Sequence, residues 1–374
     1  MKRRWALATL LALAGAAASG GAELRAGAAK VPITPQGSIW LAGRNRASAG
    51  VAGEIYARAL ALDDGAGGRA VFIATDLAGL PRSLTERVAV DLMKAHELDR
   101  SQILFNASGA RGVPPLKGWR PELEPTDPVE RRKVEQYSET LVRYLGDAAG
   151  AALGDLKPAR LDFGMGRVPS AEDATETVEL PVLRVSTPKG GLIAVLFGSA
   201  TSDATHCDST DAINGGPAGE AEAAIEKGFP GTIALFYRLC GPGAREPGGA
   251  ALAAAVTRLM KSPMTPVQGR LQSALIETAL PLSVAAGHPE EARNAMRQAP
   301  FAVQVVRFQR GFALLALGVE AAPDSVQKIR QALREREIVV ASCPGEGAAV
   351  AIGEEAEERV LDAAGRAWKR AGKR

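Results

Sequence analysis

Short apolar runs closed by glycine, proline or asparagine alternate along the chain with longer stretches in which apolar residues recur every three to four positions. The runs predict strands over Tyr56–Leu62, Ala70–Ala74, Gln102–Phe105, Arg160–Gly164, Leu192–Phe197, Gly231–Tyr237, Ala302–Arg307, Ala313–Leu317 and Glu337–Ala341. The helical period predicts helices over Ser83–His96, Asp127–Ala151, Ala218–Lys227, Gly248–Lys261, Pro323–Glu335 and Glu354–Arg370. Strands that alternate with helices imply an α/β (α+β) protein, a β-sheet core layered with helices. The opening Asp127-Pro128-Val129-Glu130 suits a helix N-terminus. The stretch GMGRVP (164–169) reads as a glycine turn, and KSPMTP (261–266) as a joint between two lobes of one continuous domain.

At 374 residues, 46% hydrophobic and 23% charged, the chain is long enough to bury a substantial core. Residues 1–22 combine Lys2, Arg3 and Arg4 with an apolar stretch of roughly a dozen residues and then small residues, the pattern of a secretory signal peptide. That stretch is shorter than the roughly 20 apolar residues a membrane span needs. The expected mature protein, residues 23–374, is therefore exported, periplasmic or extracellular, and not integral to a membrane. The whole chain carries 45 basic and 42 acidic residues, so removal of the three basic leader residues leaves 42 against 42. A neutral protein with no basic stripe interleaved with aromatics is not expected to bind nucleic acid. Cys207, Cys240 and Cys343 are too few for a disulfide scaffold, and any of three pairings is open to them.

Candidate chemistry is sparse. Of the three histidines, His96 ends a predicted helix and His288 precedes a proline turn. His206 stands apart, in the polar loop SATSDATHCDSTDAINGGP (199–217), where Cys207 and Asp208 are further metal-capable groups, although their spacing matches no established ligand pattern. The apolar run Ile103-Leu104-Phe105 delivers the loop Ser108-Gly109-Ala110-Arg111-Gly112 to a sheet rim, where catalytic groups usually lie, yet that loop holds no carboxylate, histidine or thiol. No serine-nucleophile elbow, zinc-protease helix, phosphate loop or dinucleotide fingerprint is present.

Residues 26–82 carry four pieces in order: VPITP (Val31–Pro35), WLAG (Trp40–Gly43), YARALALDDG (Tyr56–Gly65) and ATDLAGLPR (Ala74–Arg82). This segment resembles the opening of the neutral/alkaline non-lysosomal ceramidase family, secreted zinc amidohydrolases that cleave the N-acyl bond of ceramide. The likeness continues to the C-terminus and implies the family's catalytic domain, without the immunoglobulin-like domain of longer members. It also implies a zinc site, and overlay of the family motifs shows what stands there. The metal-loop histidine and its neighbour fall on Gly109 and Arg111, and a later ligand histidine falls on Thr201. A family aspartate falls on Gly215. The glycine-rich turn overlays LCGPGAREP, where Cys240, Gly243 and Pro247 persist. Glu320 matches the glutamate ligand, and 341–353 contains no counterpart of the tyrosine ligand.

Glycine offers no donor and a guanidinium no lone pair, so at most Glu320 survives of the implied ligands. One carboxylate cannot hold catalytic zinc, which takes three protein ligands and a water. The resemblance thus implies a secreted ceramidase-like protein that is catalytically degenerate, holds no cofactor, and binds a lipid, an N-acyl small molecule or a partner. Two alternatives stand beside it: an amidohydrolase with a rebuilt zinc site drawing on His206, Cys207, Asp208 and Glu320, and a structural envelope protein.

Overall fold

The computed structural model describes residues 23–373 except 172, 174, 201–209, 242–246, 281–298, 320, 336–337 and 344–353. The signal-peptide expectation therefore lies outside the described residues, as do Thr201, His206, Cys207, Asp208, Gly243, His288 and Glu320.

The first sheet is built from β1 (Arg25–Pro32), β2 (Tyr56–Asp63), β3 (Arg69–Thr75) and β4 (Ile103–Ala107). Its order is β4-β3-β2-β1, with Lys157–Pro158 at the far edge. β1/β2 and β2/β3 run antiparallel and β3/β4 parallel. A second, nine-stranded sheet contains β5 (Arg160–Pro169), β6 (Thr177–Ser186), β7 (Leu192–Ala200), β8 (Ile233–Leu239), β9 (Gln268–Leu280), β10 (Ala299–Arg310), β11 (Ala313–Leu317) and β12 (Val339–Ser342). The order, from an edge pair at Thr265–Pro266, is β5-β6-β7-β8-β12-β11-β10-β9. Its two halves meet at one residue pair, Leu239 with Ala341.

Alternation along the strands explains the layers. Ala57, Ala59 and Ala61 of β2 face helices α1 (Arg82–His96) and α2 (Pro128–Gly154), while Leu60 and Leu62 face the other sheet. On β8, Leu235 and Tyr237 point inward, whereas Ala234 and Phe236 pack under α3 (Gly216–Gly228) and α4 (Gly249–Met260). Helices α5 (Pro323–Leu333) and α6 (Glu354–Ala371) cover the half formed by β9 to β12. The result is a four-layer helix/sheet/sheet/helix sandwich. Phe72 and Tyr237 meet edge to face at its centre, ring centroids 5.9 Å apart. Strands buried on both faces must be apolar throughout, which is why they read as continuous runs.

The predicted strands and helices all appear, with Asp127 capping α2 by accepting from the Val129 and Glu130 amides. Three strands escape the pattern. β1 and β9 mix polar residues with apolar ones, and β6 contains Pro181, which falls just before the stretch that pairs with β7. GMGRVP is not a turn: it completes β5, and Gly164 and Gly166 lie beneath Leu259 and Met264 where a Cβ would press on them. KSPMTP leads from α4 into the edge pair with β5, and the chain then crosses to β9 in the same sheet. Among the described residues, no helix is long and apolar enough to cross a membrane.

Candidate functional site

Asn106 joins the two sheets where their strands end. Fully buried, it donates from Nδ2 to the carbonyls of Arg238 (3.3 Å) and Ser342 (3.0 Å) and accepts at Oδ1 from the Arg238 amide (2.8 Å). One carboxamide thereby fastens β4 to β8 and β12. Its Nδ2 also lies 3.4 Å from Cys343 Sγ. Burial pushes the Cys343 thiol up to about 11, so at neutral pH it is not the thiolate that nucleophilic chemistry requires.

The loop of the sequence overlay follows immediately. The amides of Ser108 and Gly109 donate to the Thr75 and Leu77 carbonyls, each at 2.9 Å, and hold the loop against the end of β3. Gly109 has φ +86°, in the left-handed region that suits glycine. A Cβ there would lie 3.2 Å from Nη1 of Arg238, whose side chain reaches from β8 over the Gly109 backbone. Gly109, Arg111, Trp119 and Arg120 line one narrow cleft, and the buried Trp119 indole lies against Gly79. Gly109→Ala is expected to destabilise the fold by about 1–2 kcal/mol, the cost of a side chain in left-handed backbone, read by urea unfolding.

Zinc does not fit this loop. Gly109 has no side-chain donor atom, while the side chains of Arg111 and the neighbouring Arg238 supply only N–H groups with a permanent positive charge. Among the described residues no group of His, Cys, Asp and Glu is arranged to hold a metal. Two members of the overlaid glycine-rich turn are described: Cys240 is buried with Sγ 3.8 Å from the Val319 carbonyl, and Pro247 is buried ahead of α4. Gly215, on the family's aspartate position, caps α3, and its missing Cβ would sit 3.4 Å from the Asp76 side chain.

A second polar feature went unread in the sequence. Arg58 of β2, 2% exposed, has Nη1 2.7 Å from Asp76 Oδ2 and 2.9 Å from Glu222 Oε2, and Nε 3.6 Å from Glu226 Oε1. Lys30 Nζ approaches the other Glu226 oxygen at 2.5 Å. Burial alone would weaken the Arg58 proton's hold, but Glu222, Asp76 and Glu226 together outweigh it and fix the guanidinium as a cation. The same carboxyls finish the sheet. Along β8, amides that face no strand are taken up in turn: Ala234 by Glu226 Oε1 (3.2 Å), Phe236 by Glu222 Oε1 (2.7 Å) and Arg238 by Asn106. Only at Cys240 does the Val340 carbonyl of β12 take over, at 2.9 Å.

The site thus brings guanidinium groups to the cleft at Gly109 and sequesters its carboxyls in the sheet joint behind. Among the solved structures, the chain is similar to the crystal structure of neutral ceramidase from Pseudomonas aeruginosa, with TM-score 0.73 and 16% identity over 93% of this chain and 75% of that one. It is also similar to a ceramidase complexed with C2, with TM-score 0.67 and 16% identity over 87% and 69% of the two chains. No protein-family model and no curated protein sequence matches. At this identity the likeness is one of architecture: the chain has the mixed α+β fold of the neutral ceramidases.

Proposed function

We propose that this is an exported ceramidase-like protein in which zinc-dependent amide hydrolysis is lost and which binds a lipid or N-acyl amphiphile. One observation carries the reading. At the loop position where the family resemblance calls for a zinc-binding imidazole stands a glycine with φ +86°, overlain by the Arg238 side chain. A histidine placed there would meet both backbone strain and that side chain. Catalytic zinc needs three protein ligands to hold it and to bring the pKa of its water near 7. Loss of a ligand removes the Lewis acid that polarises the amide carbonyl, and the barrier rises by several kcal/mol. What the scaffold retains beside that loop is the Trp119 indole next to the guanidinium groups of Arg111 and Arg120, apolar and cationic groups side by side.

The test has two parts. Protein purified without chelator is expected to carry no stoichiometric zinc and to show no metal-dependent cleavage of a ceramide bearing a fluorescent acyl chain. Stoichiometric zinc together with zinc-dependent turnover overturns the loss of chemistry and favours a rebuilt site. For binding, short-chain ceramide or oleate in mixed micelles is expected to raise the melting temperature relative to micelles alone, because a ligand of the native state stabilises it. An unchanged melting temperature with both removes the binding half.

A further inference from the structure

The charges around Arg58 do not balance. Three carboxyl groups, Asp76, Glu222 and Glu226, meet at this joint, with side-chain exposures of 2%, 1% and 12%. Facing them are the Arg58 guanidinium of β2 and the Lys30 ammonium of β1. Among the described residues two phenols also lie there: Tyr56, whose ring lies under both cations, and Tyr137 of α2, buried and donating to the Ile33 carbonyl. Among the described residues, two cations against three carboxylates leave one uncompensated negative charge in a buried site, which is among the costliest arrangements a fold can hold. A single proton removes it.

Geometry says where that proton belongs. The hydrogen bond from Arg58 goes to Asp76 Oδ2, which also accepts from the Tyr56 amide at 2.8 Å. Glu222 Oε1 is engaged by the Phe236 amide, whereas its Oε2, 2.9 Å from Arg58 Nη1, is buried without a hydrogen bond. Among the described residues Glu222 thus receives one hydrogen bond where Asp76 and Glu226 receive two each, and the carboxyl poorest in donors is the one that keeps its proton. We propose that one proton is a structural component of this joint: Glu222 is a carboxylic acid at neutral pH, and the joint between β2, β3, α3 and β8 weakens when alkali removes the proton. Burial, opposed by Arg58 and assisted by Asp76, raises the Glu222 pKa well above the ordinary carboxyl value, in agreement with the geometry.

The pH dependence follows with a definite sign. A glutamate in the unfolded chain loses its proton near pH 4.3, whereas folded Glu222 keeps it, so the native state binds one proton more. Stability from this group is fully present below that pH and declines as pH rises towards the folded value. Glu222→Gln copies the uncharged form: its carbonyl can accept from the Phe236 amide as Glu222 Oε1 does, and it has no proton to lose. Relative to this variant, the wild-type unfolding constant is expected to rise about tenfold per pH unit above pH 4.3 until folded Glu222 titrates. The check is urea unfolding of both proteins from pH 4 to 9, with infrared spectra at pH 7. The wild type should show a protonated-carboxyl band that the variant lacks. Parallel stability curves overturn the proposal. So does a wild type without that band, and this second readout decides even if the variant does not fold.

Discussion

Arg58→Ala is expected to destabilise the protein by about 3–5 kcal/mol at neutral pH, the usual cost of deleting one partner of a buried ion pair. The variant leaves Asp76, Glu222 and Glu226 around a hole in which, among the described residues, Lys30 alone supplies positive charge. Two of those carboxyls, Glu222 and Glu226, also cap β8 amides, so disturbing them pulls directly on the sheet. The deficit should shrink towards pH 4, because protonation relieves uncompensated carboxylates. Equilibrium denaturation of variant and wild type across pH measures this. A deficit that is small or independent of pH shows that the guanidinium is not the counter-charge assigned to it. Arg58→Lys should recover only part of the loss, since an ammonium cannot present the planar fork that spans several carboxyls at once.

The second large effect is expected at Asn106. Asn106→Leu keeps approximate volume but strands the Arg238 amide and the Ser342 carbonyl, both of which Asn106 serves in a buried environment. Each unsatisfied group costs roughly 1–3 kcal/mol, so a loss of about 2–4 kcal/mol is expected. The damage should also be local. Hydrogen exchange at the Arg238 amide should accelerate more than exchange at Leu235 in the middle of β8, because the ends of β4, β8 and β12 lose their common fastening while the inter-sheet core remains. Uniform acceleration along β8, or wild-type stability, shows that the carboxamide is dispensable. In the expected outcome Arg238 loses its anchored backbone, and the cleft at Gly109 changes shape with it.

The two residues differ in how far the sequence betrays them. Arg58 interrupts the apolar run Tyr-Ala-Arg-Ala-Leu-Ala-Leu, and a charge inside a strand that is otherwise continuous is a legible anomaly, although it names no partner. Its partners lie 18, 164 and 168 positions along the chain, at Asp76, Glu222 and Glu226, and nothing in local periodicity links them. Glu222 looks like any polar residue of an amphipathic helix, and only the placement of α3 beside the open edge of β8 turns it inward. Asn106 marks the end of an apolar run, as a strand terminus should, but its bonds to Arg238 and Ser342 cross from one sheet to the other. GMGRVP fails for a related reason: glycine suggests a turn locally, whereas here it makes room for Leu259 and Met264.

By itself the sequence determined the alternation of strands and helices, because burial on one or both faces leaves a period that any short window reveals. It also determined that the loop after β4 carries Gly109 and Arg111, neither of whose side chains can offer a metal a lone pair, since side-chain donor chemistry belongs to residue identity. Only the tertiary structure decided that two sheets stack face to face between helical layers, that a guanidinium reaches over Gly109, and that three distant carboxyls gather on one arginine. Those are contacts between segments far apart in the chain, chosen by how surfaces pack and how buried charges find balance, and neither leaves a local trace.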